Sequence, residues 1–177
     1  LSDVILRRLN ENDESAFLEG AREWEGEDPH WYSFIWKPGD AFAPMFARLE
    51  DERAGRNLQP GRVPHTMLYG FVDGKIIGRV SVRHTLNENL RKRGGHIGYA
   101  VAPAYRGKGF ATEMVRQALT FCKSLGLSSI MVTCADDNAP SWKVIEKFGG
   151  QLEDKVWDAE DEEMIRRYWI SLGEKNN

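Results

Sequence analysis

The chain has 177 residues, with 24 Lys and Arg against 27 Asp and Glu, and a formal net charge of −3. Its 41% hydrophobic and 29% charged content is that of a globular domain long enough to bury its own core. No basic excess exists to make a nucleic-acid backbone the main ligand, and no apolar run approaches the ~20 residues of a membrane span.

In chain order, Val4 to Leu9 reads as a short strand. Asn12-Asp13-Glu14-Ser15 then supplies caps for a helix carrying Ala16, Phe17 and Leu18. From Trp24 to His65 the chain is crowded with aromatics and broken by Pro29, Pro38-Gly39 and Pro60-Gly61. Inside it, Phe42, Met45, Phe46 and Leu49 recur at helical spacing, with Gly55 as a stop. Thr66 to Val72 and Lys75 to His84 form a hairpin around Asp73-Gly74, a dipeptide suited to a type I′ turn. Alternation on the second strand puts Ile76, Gly78, Val80, Val82 and His84 on one face.

Leu86 to Gly95, with Arg91-Lys92-Arg93, reads as a solvated loop. His96 to Val101 is a strand that runs into Pro103 and a loop. An amphipathic helix follows from about Gly109 to Leu125, then a buried strand from Ile130 to Cys134. Asn138 to Phe148 is a helix with Pro140 in its first turn and Gly149-Gly150 at its end. Leu152 to Trp157 and Met164 to Leu172 close the chain as an antiparallel pair. The expected class is α/β with a mixed sheet.

Cys122 and Cys134 form no CxxC or zinc pattern and read as reduced, buried thiols. His30, His65, His84 and His96 include no pair at metal-ligand spacing, so no metal site is expected. The start, Leu1-Ser2-Asp3-Val4, has no basic stretch leading into an apolar core, and a cytoplasmic location is expected.

The chemistry concentrates in Val101-Ala102-Pro103-Ala104-Tyr105-Arg106-Gly107-Lys108-Gly109-Phe110-Ala111-Thr112. A strand, a glycine-rich loop and a helix start bring unpaired N–H groups and a positive dipole end to one point. Arg106 and Lys108 add charge there, which suits a phosphate or pyrophosphate. A Walker A loop fails, because Gly109 and not Ser or Thr follows Lys108. A dinucleotide fingerprint lacks its third glycine, though Asp136 or Asp137 leaves a nucleotide-cofactor oxidoreductase open. A plain helix-capping turn is the bland alternative.

Arg106-x-x-Gly109-x-Ala111 resembles the (Gln/Arg)-x-x-Gly-x-(Gly/Ala) pyrophosphate loop of the GNAT acyl-CoA N-acyltransferases. The resemblance extends to His96-Ile97-Gly98-Tyr99-x-Val101-x-Pro103, to Asn138-Ala139-Pro140-Ser141 and to Glu146-Lys147-Phe148-Gly149. It is strongest over residues 67–155. Arg83-His84 and Gly94-Gly95-His96-Ile97-Gly98-Tyr99 bring residues 75–155 closest to one bacterial subgroup of that family. It implies a mostly antiparallel mixed sheet, splayed as a V between strands 96–101 and 130–134, with helices on both faces. It implies one acyltransferase domain over 1–177, with acceptor-side elements in 24–65 and the CoA core in 96–148.

The implied reaction is direct acetyl transfer from acetyl-CoA to a primary amine on a small molecule or protein. The enzyme would be a monomer or homodimer with no nucleic-acid or membrane partner. Val101 would pair with the pantetheine arm and polarise the thioester. Arg106, Gly107, Lys108, Gly109, Ala111 and Thr112 would hold the pyrophosphate, and Asn138 and Ser141 would line the arm. His96 stands where many relatives carry a basic Glu; His84 or water is the alternative proton acceptor. Ile145 replaces the family's usual thiolate-protonating Tyr, which leaves Ser141 or Cys134 as donors, or unassisted release. It also keeps a non-catalytic acyl-CoA-binding module in view. Trp31, Tyr32 and Trp36, with Glu25, Glu27 and Asp28, are candidates to cradle a cationic amine.

Overall fold

The structure is a computed structural model and describes residues 3–173. Leu1 and Ser2, part of the opening stretch considered above, lie outside the described residues. Seven strands form one sheet in the order β1-β2-β3-β4-β5-β7-β6. They are β1 (Ile5–Arg7), β2 (His65–Val72), β3 (Lys75–Arg83), β4 (Ile97–Val101), β5 (Ser129–Ala135), β6 (Gln151–Asp158) and β7 (Glu163–Ser171). Every pairing is antiparallel except β4 with β5.

The helices divide between the two faces. Helices α1 (Glu14–Arg22) and α2 (Phe42–Arg53) cover one face, where Phe17, Tyr32, Trp36, Phe42, Met45, Tyr69 and Ile76 form one apolar cluster. Helices α4 (Phe110–Ser124) and α5 (Ala139–Lys147) cover the other, around Ile77, Val80, Val82, Met114, Ala118, Ile130, Ile145 and Tyr168. Arg7 is fixed to Asp13 by two hydrogen bonds of 2.7 and 2.8 Å, which ties β1 to the start of α1.

Two expectations need correction. Ile76 does not share a face with Val80 and Val82: the β2–β3 register shifts at Gly70/Phe71, Phe71 pairs with Ile76 and Gly70 with Gly78. The extra residue, Ile77, turns toward α4 and sends Ile76 toward α1, as a bulge does. The polar connection is not a plain loop either. It contains α3 (Glu88–Lys92), started by Asn87, whose side chain accepts the Leu90 N–H at 2.9 Å. Its basic run is partly neutralised, since Arg93 reaches Asp158 and Glu163 at 2.6 Å each.

β4 and β5 share only the register pair Ile97↔Val132. At that point the strands are locked. His96 N–H donates to Met131 O at 2.8 Å, and Gly94 N–H donates to Thr133 Oγ1 at 2.8 Å. Gly95, at φ +60°, presses so close that a Cβ would lie 2.4 Å from Met131 O. Beyond Ile97 no rung joins the two strands, and they part toward their C-terminal ends.

Candidate functional site

Two clefts open where β4 and β5 part. The smaller, about 380 Å³, is walled by Trp24, Glu27, Ala100, Val101, Arg106, Ala111 and Pro140. The larger, about 920 Å³, has Arg79, Arg83, Phe34, Cys134 and Asp137 among its walls. They meet along Trp31, Tyr99, Asn138 and Ser141, which line both. A side pocket of about 230 Å³ continues past His30, Phe34, Arg62 and Arg83.

Of the phosphate-loop residues, Arg106 and Ala111 line the smaller cleft, while Gly109 lines a separate cleft of about 360 Å³ with Val4, Glu113 and Gln117. Gly109, at φ 82°, is the N-cap of α4 and offers no side-chain cap, so the first-turn amides of Phe110, Ala111 and Thr112 lack a side-chain partner. Gly107 also has positive φ, 72°, with open space where a side chain would stand. Arg106 Nε donates to Val101 O at 2.9 Å, while its two terminal nitrogens grip Glu27 at 2.8 and 2.7 Å. The pairing holds the Glu27 carboxyl below its ordinary pKa and raises that of Arg106. Lys108 turns back onto Ala104 O at 2.8 Å.

Along β4, Ala102 N–H donates to Ile77 O at 2.9 Å, so by strand alternation the Val101 N–H points into the gap. Tyr99 lies two residues earlier. Its hydroxyl donates to Ser141 O at 3.1 Å and stands 2.9 Å from Ser141 Oγ. Burial pushes the Tyr99 pKa up to about 12 and that of the neighbouring Cys134 thiol to about 11. Asn138 caps α5 by accepting the Ser141 N–H at 3.2 Å, which fixes Ser141 at the junction of the clefts.

Neither histidine expected as the base reaches a cleft wall. His96 is 6% exposed; its Nδ1 accepts the Met131 N–H at 2.9 Å, and its ring packs edge-on to Trp169. Burial, with Arg91 and Arg83 nearby, drives its pKa down to about 4. The family position that made His96 a candidate falls one residue before β4, which begins at Ile97. His84 bonds Thr66 Oγ1 through Nε2 at 2.8 Å. The histidine that does line the large cleft is His30, just inside a 3-10 turn over Pro29–Trp31. Burial and Arg79 depress its pKa, so its imidazole is neutral at neutral pH.

The expected cation cradle forms only in part. Trp31 and Asp28 line the large cleft, whereas Tyr32 and Trp36 are core residues, 1% and 5% exposed, with the Tyr32 hydroxyl donating to Phe17 O. Glu27 is committed to Arg106. The large cleft also carries Arg79 and Arg83. Both come from the face of β3 opposite Val80 and Val82, where Arg79-x-Ser81-x-Arg83 alternates along the strand. That period-two spacing was the available signal for them. Ile145 is fully buried and faces no cleft. Among the described residues no cluster of His, Cys, Asp or Glu could hold a metal ion.

Comparison with known proteins agrees with this architecture. The family model described as "Acetyltransferase (GNAT) domain" matches residues 3–151. The L-amino acid N-acetyltransferase AaaT of Escherichia coli (strain K12) is 26% identical over 110 residues, 59% of this chain and 65% of that protein. The chain spans between about a third and two thirds of the length of the curated relatives it matches. Among solved structures, the ribosomal L7/L12 alpha-N-protein acetyltransferase RimL in complex with coenzyme A superposes with a TM-score of 0.65 at 16% identity, covering 95% of this chain and 93% of that one. A chimera of the Vibrio cholerae spermidine N-acetyltransferase SpeG gives 0.61 at 20% identity, covering 97% and 96%. With a family model spanning most of its length and a sheet that parts between β4 and β5, the chain belongs to the GNAT acetyltransferase family.

Proposed function

We propose that the chain transfers the acetyl group of acetyl-CoA to a primary amine by direct attack within a ternary complex. The observation that carries this reading is the junction of two clefts along Tyr99, Asn138 and Ser141, beside an unpaired β4 edge. One cleft suits the cofactor arm and the other an acceptor, and they meet where a thioester and an amine must touch.

In this reading the pyrophosphate lies on the first-turn amides of α4, with Arg106 and Lys108 beside it. The pantetheine arm adds to the free edge of β4 like another strand. Val101 N–H is the donor for the oxyanion formed when the amine nitrogen attacks the thioester carbon. A lysine-like amine, pKa ~10.4, costs roughly 5 kcal/mol to present neutral at pH 7, whereas an α-amine near 8 costs only about 1 kcal/mol. His30, neutral and on the acceptor wall, takes the amine proton directly or through water. The C–S bond then breaks, and the thiolate takes its proton from the Tyr99–Ser141 hydroxyl pair, since Ile145 offers none.

The relatives' names point to unlike acceptors: amino acids, a protein N-terminus and a polyamine. One feature favours a second reading, a non-catalytic acyl-CoA binder: the buried Ile145 in place of a proton donor.

Two measurements test the proposal. Acetyl-CoA at 100 times its Kd should stabilise the fold by about 2.7 kcal/mol, read as a rise in Tm. Thiol release with a panel of amines should then show turnover. Stabilisation without turnover selects the binding module; no stabilisation removes both readings.

A further inference from the structure

We infer that the acceptor amine carries an oxyanion, a carboxylate or phosphate, held by Arg79 and Arg83 in the large cleft; this rests on the acetyl-transfer reading above. Among the arginines of the described residues, only Arg22, Arg79, Arg83 and Arg91 have no carboxylate within ion-pair distance. Arg22 and Arg91 are exposed, so water solvates them. Arg79 is 2% exposed, and Arg83 is partly buried. Two guanidinium charges withdrawn from water without a counterion are an arrangement that a protein tolerates when a ligand supplies the anion.

The local structure aims both groups at the cleft and holds them there. Arg79 Nε donates to Trp31 O at 2.7 Å and its Nη1 to Gly98 O at 3.4 Å. Arg83 Nη1 donates to Gly94 O at 3.0 Å. Phe34 serves both, with the guanidinium carbons 4.4 and 5.8 Å from its ring centre. Arg79 Nη2, and Arg83 Nε and Nη2, donate to no protein group, and both side chains line the large cleft. Burial lowers both pKa values to about 10, the effect that a bound anion opposes.

None of the four acids on the same cleft pairs with either arginine. Asp28 caps the His30 N–H at 2.9 Å, Asp161 and Glu163 face Arg93 at 2.7 and 2.6 Å, and Asp137 stands on the cleft wall outside ion-pair distance of Arg79 and Arg83. A zwitterion fits this polarity, with its anion on the arginines and its amine toward Tyr99 and Ser141. A polyamine would set its second cation against Arg79 and Arg83, a like-charge contact.

The test is acetyl transfer measured with L-amino acids, their amides, O-phosphoethanolamine and spermidine. The expected result is a kcat/KM at least tenfold higher for a free amino acid than for its amide, or for O-phosphoethanolamine than for spermidine. Which anionic acceptor leads distinguishes carboxylate from phosphate. Arg83→Gln should shrink that preference at least tenfold through KM, with acetyl-CoA affinity unchanged, and Arg83→Lys should restore part of it. Amides or spermidine accepted as well as the anionic amines would overturn the inference, as would equal losses on charged and amide acceptors in Arg83→Gln. If no amine turns over, thermal shifts decide. An increment from an amino acid or O-phosphoethanolamine, lost in Arg83→Gln, supports the arginine site, and no increment from either overturns it. Failure of acetyl-CoA to shift Tm is a separate outcome that removes the transfer reading.

Discussion

His96 and Met131 are bonded twice across the vertex of the gap: His96 N–H donates to Met131 O at 2.8 Å, and Met131 N–H donates to His96 Nδ1 at 2.9 Å. The second bond needs a neutral imidazole, and burial keeps it neutral by lowering the pKa from 6.5 to about 4. A depressed folded pKa gives stability that is complete above about pH 6.5 and drains away as the pH falls toward 4. The full change is on the order of 3 kcal/mol. In urea titrations His96→Gln, which keeps an acceptor, should flatten that part of the pH profile. His96→Leu should lose about 1–3 kcal/mol at neutral pH by stranding the Met131 N–H. Acetyl transfer by the Gln variant should stay within about threefold of the parent; a hundredfold loss of kcat with an altered acidic limb would return His96 to the chemistry.

Arg106 cannot serve Glu27 and a pyrophosphate fully at once. The pair is half in water, with side chains 50% and 31% exposed, so it adds no more than about 1 kcal/mol to stability. Glu27→Gln should leave Tm nearly unchanged and strengthen acetyl-CoA binding several-fold, with a steeper loss of affinity as salt rises. Calorimetric titration at two ionic strengths checks this; weaker binding in the variant would mean that Glu27 holds Arg106 in its productive pose.

Gly109 carries a positive φ of 82° at the start of α4. Gly109→Asp puts a carboxylate where a pyrophosphate is expected and strains the backbone by about 1–2 kcal/mol. Acetyl-CoA should no longer raise Tm, while circular dichroism should show an intact fold.

Gly20 lies inside α1, where replacement by Ala ordinarily adds up to about 1 kcal/mol. Here a Cβ would stand 2.7 Å from the Tyr32 hydroxyl and 2.9 Å from Ile76 Cβ. Packing outweighs propensity, and Gly20→Ala should destabilise by about 1–3 kcal/mol in thermal or urea unfolding. A rise in stability would show that Tyr32 has room to move.

The parts of this protein legible in its sequence are those governed by local rules. Asp73-Gly74, Pro140 and Gly149-Gly150 mark turns and helix ends, and the loop from Arg106 to Thr112 carries its spacing openly. What escaped was set by register and depth. A one-residue bulge at Ile77 reversed Ile76, and nothing local announces it. His96 sits one residue before the strand that parts from β5, so Met131 and Trp169, and not a free gap, surround its ring. The aromatic segment read as an acceptor cradle contributes mostly core, because Tyr32 and Trp36 seal α1 against the sheet. The charged wall of the large cleft comes from β3, where Arg79 and Arg83 lack carboxylate partners that only the packed structure reveals.

The single rung at Ile97↔Val132 makes the sheet behave as two plates, four strands and three, joined at one corner. Each plate has a bare rim beyond that corner, and a chain-like molecule laid between them supplies the rungs that the protein omits. Occupancy should therefore be readable in amide exchange: the β4 amides that face the gap, Tyr99 and Val101, slow on binding, while those bonded to β3 are already slow.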